Sequence, residues 1–162
     1  DMRGQRTILY NEMKKYINIL CPGNFKRNVN PIGNGCNAKI NFIKNTIYNI
    51  CPENSCYEGY FTEKIFQALE AGCIPIYWAI DLPEKNILNE CCYCFVDTND
   101  KSNIEKQIYD VINNRSSYNL NNLFKTDASI IINTYYTDLK DIILEKLAEK
   151  EILCNMAPVA YG

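Results

Sequence analysis

Histidine is absent from all 162 positions of this chain. No Ser-His-Asp or Cys-His nucleophile pair, imidazole general base or histidine metal ligand can therefore be built from it. Acid–base work falls to carboxylates, lysine, tyrosine or cysteine, or to residues outside the chain. Excess charge is missing too: 17 Lys and Arg stand against 19 Asp and Glu, a net of −2. That balance supplies no field for holding nucleic acid or an anionic membrane surface. No run of 18 apolar residues occurs, so no membrane-spanning helix is expected. No charged-then-apolar leader follows Asp1, and the chain reads as an excised or processed piece of something longer. Neither a Walker phosphate loop nor a G-x-G-x-x-G turn is present, which removes the ordinary ATPase and dinucleotide fingerprints.

What is present suffices for a core. Hydrophobic residues make up 47% and charged residues 22%, which fits one compact domain and excludes a disordered tail. The nine cysteines are odd in number and spread through apolar stretches, unlike the even sets of small secreted scaffolds. Cys91, Cys92 and Cys94 form the one cluster. As zinc ligands they sit too close together and lack a second pair at finger spacing. As small hydrophobes in a buried strand they fit, so reduced core thiols are expected. The sequon Asn114-Arg115-Ser116 carries little weight in so asparagine-rich a chain.

Helical and strand-like segments alternate. Thr7 to Tyr16 reads as a helix, and Ile17 to Cys21, stopped by Pro22-Gly23, as a strand. A Gly/Asn/Pro-rich loop from Asn24 to Asn37 follows, then a short helix over Ala38 to Lys44 and a strand over Ile47 to Cys51. Next comes the loop Glu53-Asn54-Ser55-Cys56-Tyr57-Glu58-Gly59-Tyr60, and a helix opening near Thr62 as N-cap. That helix carries Ile65, Phe66 and Leu69 on one face and stops at Gly72. Strands are expected over Cys73 to Trp78 and Cys91 to Val96, separated by a loop over Asp81 to Asn89. Ile104, Ile108, Val111 and Ile112 mark another helix. Tyr135, Leu139, Ile142, Ile143 and Leu147 mark an amphipathic last one. Residues 1–153 make the domain, and 154–162 read as a frayed tail. Strands that are apolar throughout, alternating with helices, point to βαβ units. The fold class is α/β, a doubly wound, Rossmann-like parallel sheet.

Ligands of such sheets bind beyond the C-terminal ends of the strands, where loops run into helices. The segment from Glu53 to Lys64 occupies such a place. Lys64 in the first turn meets the positive end of the helix dipole. Two resolutions stay open: a solvated lysine bearing a small penalty, or a phosphate bridging the lysine and the helix start. Asp97 and Asp100 superficially suggest a metal-binding Asp-x-Asp, but their spacing differs and they follow a strand like an ordinary turn. Tyr135-Tyr136 offers rings to a sugar, yet Tyr135 falls on the expected core face of the last helix, so packing is expected.

The run ENSCYEGYFTEKIFQALEAGCIPIYW closely resembles the signature of the α1,3-fucosyltransferases, glycosyltransferase family ten. YNIC before it and Gln5-Arg6-Thr7 with the following helix also resemble that family's pattern, which can be laid along Arg6 to roughly Asn113. The resemblance implies one half of a GT-B glycosyltransferase: the C-terminal domain that binds GDP-fucose for inverting transfer to a glycan hydroxyl. It implies that Arg6 and Lys64 hold the diphosphate, and that Asn54, Tyr60 and Glu63 line the nucleotide and sugar pocket. Glu63 would lie near the ribose or the developing positive charge of the sugar. It also implies that the acceptor-binding N-terminal domain and the general base lie outside this chain. GDP-fucose is the expected donor substrate, and no cofactor or divalent metal is called for by a visible motif. The compartment follows the source: Golgi lumen for a eukaryotic member, cytoplasm for a bacterial or viral one. Arg6→Ala and Lys64→Ala are each expected to weaken GDP binding with the fold intact. Pro52 and Ala79 depart from the pattern, removing a backbone donor and adding a methyl near the pocket. They motivate the alternative reading, a non-catalytic nucleotide-sugar-fold module for binding or assembly.

Overall fold

A computed structural model of the chain describes residues 4–55, 57–80 and 83–156. The apolar stretches read as strands supply a three-stranded parallel sheet: β1 (Tyr48–Ile50), β2 (Ile74–Tyr77) and β3 (Cys94–Phe95), in that spatial order. Around it lie α1 (Gln5–Met13), α2 (Cys36–Ile43), α3 (Lys64–Glu70), α4 (Ile104–Asn113) and α5 (Ala128–Met156). Pairing sets Tyr48 opposite Ile74 and Ile76 opposite Cys94.

Alternation along β2 divides the core. Ile74, Ile76 and Trp78 pack with Leu9 and Met13 of α1 and with Ile104, Ile108 and Val111 of α4. Cys73, Tyr77 and Ala79 pack on the opposite side with Ile40 and Ile43 of α2 and Ile65, Ala68 and Leu69 of α3. Helices thus cover both faces, and β2, buried at every position, forms the centre. This is the doubly wound α/β class expected. Gly72 ends α3 at φ +77°, a left-handed conformation that a side chain would strain, and the chain turns straight into β2.

Several expectations are corrected. Ile17–Cys21 pairs with no strand. The N–H of Cys21 is held by Asn28 Oδ1 at 2.7 Å, and Asn28 Nδ2 donates to the Ile19 carbonyl at 2.7 Å, so a side chain takes the place of a ladder. In the cysteine stretch only Cys94–Phe95 is strand. Glu90–Cys92 makes a 3-10 turn, with the N–H of Cys92 on the Asn89 carbonyl, and the Cys91 carbonyl accepts from Asn119. Thr62 is not the N-cap: α3 starts at Lys64 behind Glu63. The last helix is longer than its apolar pattern suggested and runs through residues 154–156, while 157–162 lie outside the described residues. Its expected core face is not covered among the described residues: Tyr135 is 48% exposed, Leu139 52% and Ile142 55%. An amphipathic pattern shows that a helix has an apolar face without naming what covers it.

Candidate functional site

The site is assembled by the C-terminal end of β1. Glu53 lies just past that strand, and its N–H donates to the Trp78 carbonyl at 2.8 Å, extending the β1–β2 ladder beyond Cys51, which donates to Ile76 at 3.0 Å. Residues 51 and 53 face β2, so Pro52 between them points its missing N–H away from the ladder. The lost donor removes no sheet hydrogen bond, as suits a proline on an outer edge. Ala79, 1% exposed, belongs to the core against α2 and α3, so its methyl adds to packing.

Lys64 decides the local electrostatics through a partner that neither reading of the sequence named. Its ammonium donates to Glu53 Oε2 at 3.0 Å and to the Pro52 carbonyl at 3.1 Å. The lysine side chain is 15% exposed and that of Glu53 is wholly buried. A carboxylate of the protein, not solvent, meets the cation at the start of α3. The same carboxylate accepts the Thr62 N–H at 2.8 Å and the Thr62 hydroxyl at 2.8 Å. Thr62 therefore ties the base of the loop instead of capping the helix. Glu53 is the residue whose importance sequence reasoning missed. Its signal was present: a carboxylate just after a largely apolar strand, eleven residues before a lysine, in a segment that must turn back on itself.

The sequence-predicted residues fall out unequally. Arg6, half-buried on α1, donates through Nη2 to Asn54 Oδ1 at 2.7 Å, across 48 positions of sequence. Its guanidinium also stands over the Phe25 ring at 5.9 Å. Arg6 and Asn54 are thus brought together, and Lys64 sits against Glu53, the neighbour of Asn54. Tyr60 is half-buried in the turn at Gly59, its N–H on the Tyr57 carbonyl at 3.1 Å. Glu63 is exposed, its carbonyl accepts from Gln67, and its carboxylate has no hydrogen bond or ion pair among the described residues. A groove of about 410 Å³ runs from Arg6 along the outer edge of β1, lined also by Tyr10, Phe25, Asn49 and Ile50. The unpaired segment Ile17–Cys21 lines it as well.

Other candidates take on structural roles. Asp97 accepts from the N–H and side-chain amide of Asn99, and Asp100 from the Ser102 hydroxyl, so both carboxylates serve turns. Among the described residues no group of three or more Cys, Asp or Glu is placed to hold a metal ion. Burial pushes the Cys51 thiol up to about 12 and that of Cys92 up to about 11, leaving both neutral core groups at ordinary pH. No described helix is long and apolar enough to cross a membrane.

With this geometry in hand, comparison with known proteins is direct. The sequence pattern of the glycosyltransferase family 10 (fucosyltransferase) C-terminal domain matches residues 1–130. Over 79 residues, 49% of this chain, it is 33% identical to the α-(1,3)-fucosyltransferase FucT of Helicobacter pylori, of which that stretch is 16%. The fold matches a crystal structure of α1,3-fucosyltransferase with GDP at a TM-score of 0.55 and 25% identity, over 70% of this chain and 32% of that one. A structure of α1,3-fucosyltransferase with GDP-fucose matches at a TM-score of 0.55 and 24% identity, over the same shares. The chain thus spans about a third of the solved structures it resembles. Its parallel sheet, with helices on both faces, matches part of their GT-B architecture. A family pattern that covers most of the chain, over a sheet and loop built as described, gives its affiliation: the chain belongs to glycosyltransferase family 10, the fucosyltransferases.

Proposed function

We propose that this domain binds GDP-fucose, with the diphosphate against Arg6 and Lys64, for inverting transfer of fucose to a glycan hydroxyl. The observation that carries the reading is the Arg6–Asn54 hydrogen bond, which draws a cation of α1 onto the loop whose base holds Lys64. Two cations from distant parts of the sequence then flank one end of the sheet, the end where open α/β sheets take their ligands. Breaking the anomeric bond leaves negative charge on GDP and positive charge on the sugar ring. Fixed cations at the phosphates and a carboxylate near the ring act where those charges develop, and the exposed Glu63, whose carboxylate has no partner among the described residues, is suited to the second task. Asn54 and Tyr60 complete the lining. No step of this chemistry calls for a divalent metal.

Calorimetry with GDP tests the reading. Heat of binding is expected at or below about 1 mM GDP, with ATP binding more weakly. The absence of heat on demonstrably folded protein would favour the rival, a module that keeps the fold for binding or assembly. Of the two departures that motivate that rival, Pro52 costs no ladder bond between β1 and β2, and Ala79 packs into the core.

We further propose that the acceptor and the general base come from residues outside this chain. Inverting transfer needs a base beside the acceptor hydroxyl, on the face opposite the departing GDP. Glu53 is consumed by Thr62 and Lys64, and Glu63 lies on the donor loop. Radiolabelled GDP-fucose with lactosamine and glycan-core acceptors is expected to give no transfer with this chain alone. Turnover abolished by Glu63→Gln would place the base within it.

A further inference from the structure

We propose that Glu53 is a positioning residue for the nucleotide site: buried beneath the loop, it aims Lys64 and leaves one ammonium proton for a phosphate oxygen. The inference rests on the nucleotide-binding reading above and concerns a residue outside the set assigned to the ligand.

The argument starts from the valence of the ammonium. Lysine offers three donors. One is taken by the Pro52 carbonyl at 3.1 Å and one by Glu53 Oε2 at 3.0 Å. The third has no acceptor among the described residues, and the side chain keeps 15% exposure. Two fixed acceptors at the strand end therefore define the direction of the remaining N–H. Without them the four-carbon stem would rotate freely, and its ordering would have to be met on binding.

Glu53 is itself fixed from both ends. Its main-chain N–H is bonded to Trp78 at 2.8 Å, so its Cα belongs to the sheet. Its carboxylate, with no solvent access, accepts the Thr62 N–H, the Thr62 hydroxyl and the Lys64 ammonium. Donors from residues nine and eleven positions onward converge on one group. The loop between them, which carries Asn54 and Tyr60, is closed at its base by that single side chain. Glutamine cannot substitute. Each flip of its amide turns a donor toward another donor, either the Lys64 ammonium or the Thr62 N–H, so the set of three donors is no longer gathered.

Charge and position predict opposite outcomes, which makes the proposal decidable. If Glu53 were only a negative charge near the phosphates, its neutralisation would tighten GDP. If it aims Lys64, its neutralisation loosens GDP despite the charge removed. The experiment titrates GDP into the full chain and into Glu53→Gln, Lys64→Met and the double variant. The expected result is a roughly tenfold or greater rise in Kd for Glu53→Gln, as for a lost charge-assisted contact. The double variant is expected to bind no more weakly than Lys64→Met alone, because Glu53 works through Lys64. Equal or tighter binding by Glu53→Gln overturns the proposal, and so do losses that multiply in the double variant. A ligand-free arm separates this idea from the nucleotide reading: the 15N-detected ammonium signal of Lys64, protected from exchange in the parent, is expected to vanish in Glu53→Gln. Its persistence overturns the positioning role whatever GDP does. Its loss in Glu53→Gln, where the parent shows the protected signal but fails to bind GDP, would sustain positioning and sink the nucleotide reading. Should Glu53→Gln not fold, Glu53→Asp keeps the charge one methylene short. It is expected to weaken GDP severalfold with unchanged far-UV circular dichroism, and undiminished affinity there overturns the proposal.

Discussion

Replacing Lys64 with methionine isolates the energetic consequence of the ion pair at the loop base. Methionine keeps most of the apolar stem, so the change removes chiefly the ammonium. It leaves Glu53 with no solvent access and two remaining donors, both from Thr62. Breaking a buried pair by deleting one partner costs about 3–5 kcal/mol, because a charge is stranded. Here the Thr62 N–H and hydroxyl continue to stabilise the carboxylate, which brings the cost to or below the bottom of that range, about 2–3 kcal/mol. The converse change, Glu53→Gln, strands a lysine that can still swing its 15%-exposed end to water, and should cost less, about 1–2 kcal/mol. Because the two groups are in contact, the double variant should be more stable than the sum of the single losses predicts. Urea unfolding followed by the fluorescence of Trp78, the single tryptophan and a buried one, reads all four proteins. The partner of Lys64 is a buried carboxylate of the protein itself, so replacing the lysine is expected to cost stability as well as GDP affinity. A Lys64→Met midpoint corresponding to less than about 0.5 kcal/mol from the parent would refute the buried-pair reasoning.

Three further outcomes are expected. Arg6→Ala removes a half-buried guanidinium that bonds the exposed Asn54 and stands over Phe25, so stability should fall by about 1 kcal/mol while GDP binding weakens by about 1.5–3 kcal/mol, read by calorimetry beside unfolding curves. Gly72→Ala puts a side chain at φ +77° and should destabilise by about 1–2 kcal/mol, although nothing lies within 4 Å of the added carbon; an unchanged urea midpoint would show that the turn relaxes freely. The buried thiols set an alkaline limit: folded Cys51 and Cys92 titrate near 12 and 11 against an ordinary value of 9, so their contribution is complete below about pH 9 and is lost as pH rises through 11 to 12. Melting temperature should fall across that range, and Cys51→Ala should flatten the fall.

Much of this protein was legible in the order of its residues. The alternation of wholly apolar stretches with 3.6-period segments gave the helices α1 to α4, the central strand and the doubly wound class, because periodicity reports which side of an element meets a core. Gly72 marked the end of α3 for a reason internal to the backbone, its positive φ. The loop from Glu53 to Lys64 was identified with its residue types. Tertiary structure decided what each of those residues touches. Ile17–Cys21 has a strand's composition but no ladder, since pairing depends on a neighbour and Asn28 holds its backbone instead. Tyr135, Leu139 and Ile142 have the spacing of a core face but stand exposed, since spacing fixes an orientation and not a partner. Arg6 reaches Asn54 only because α1 packs against the sheet beside β1, a contact between positions 48 apart that no local pattern encodes. The role of Glu53 depends on burial. Exposed, it would be one acid among 19; enclosed, it must gather every donor within reach, and those donors are Thr62 and Lys64.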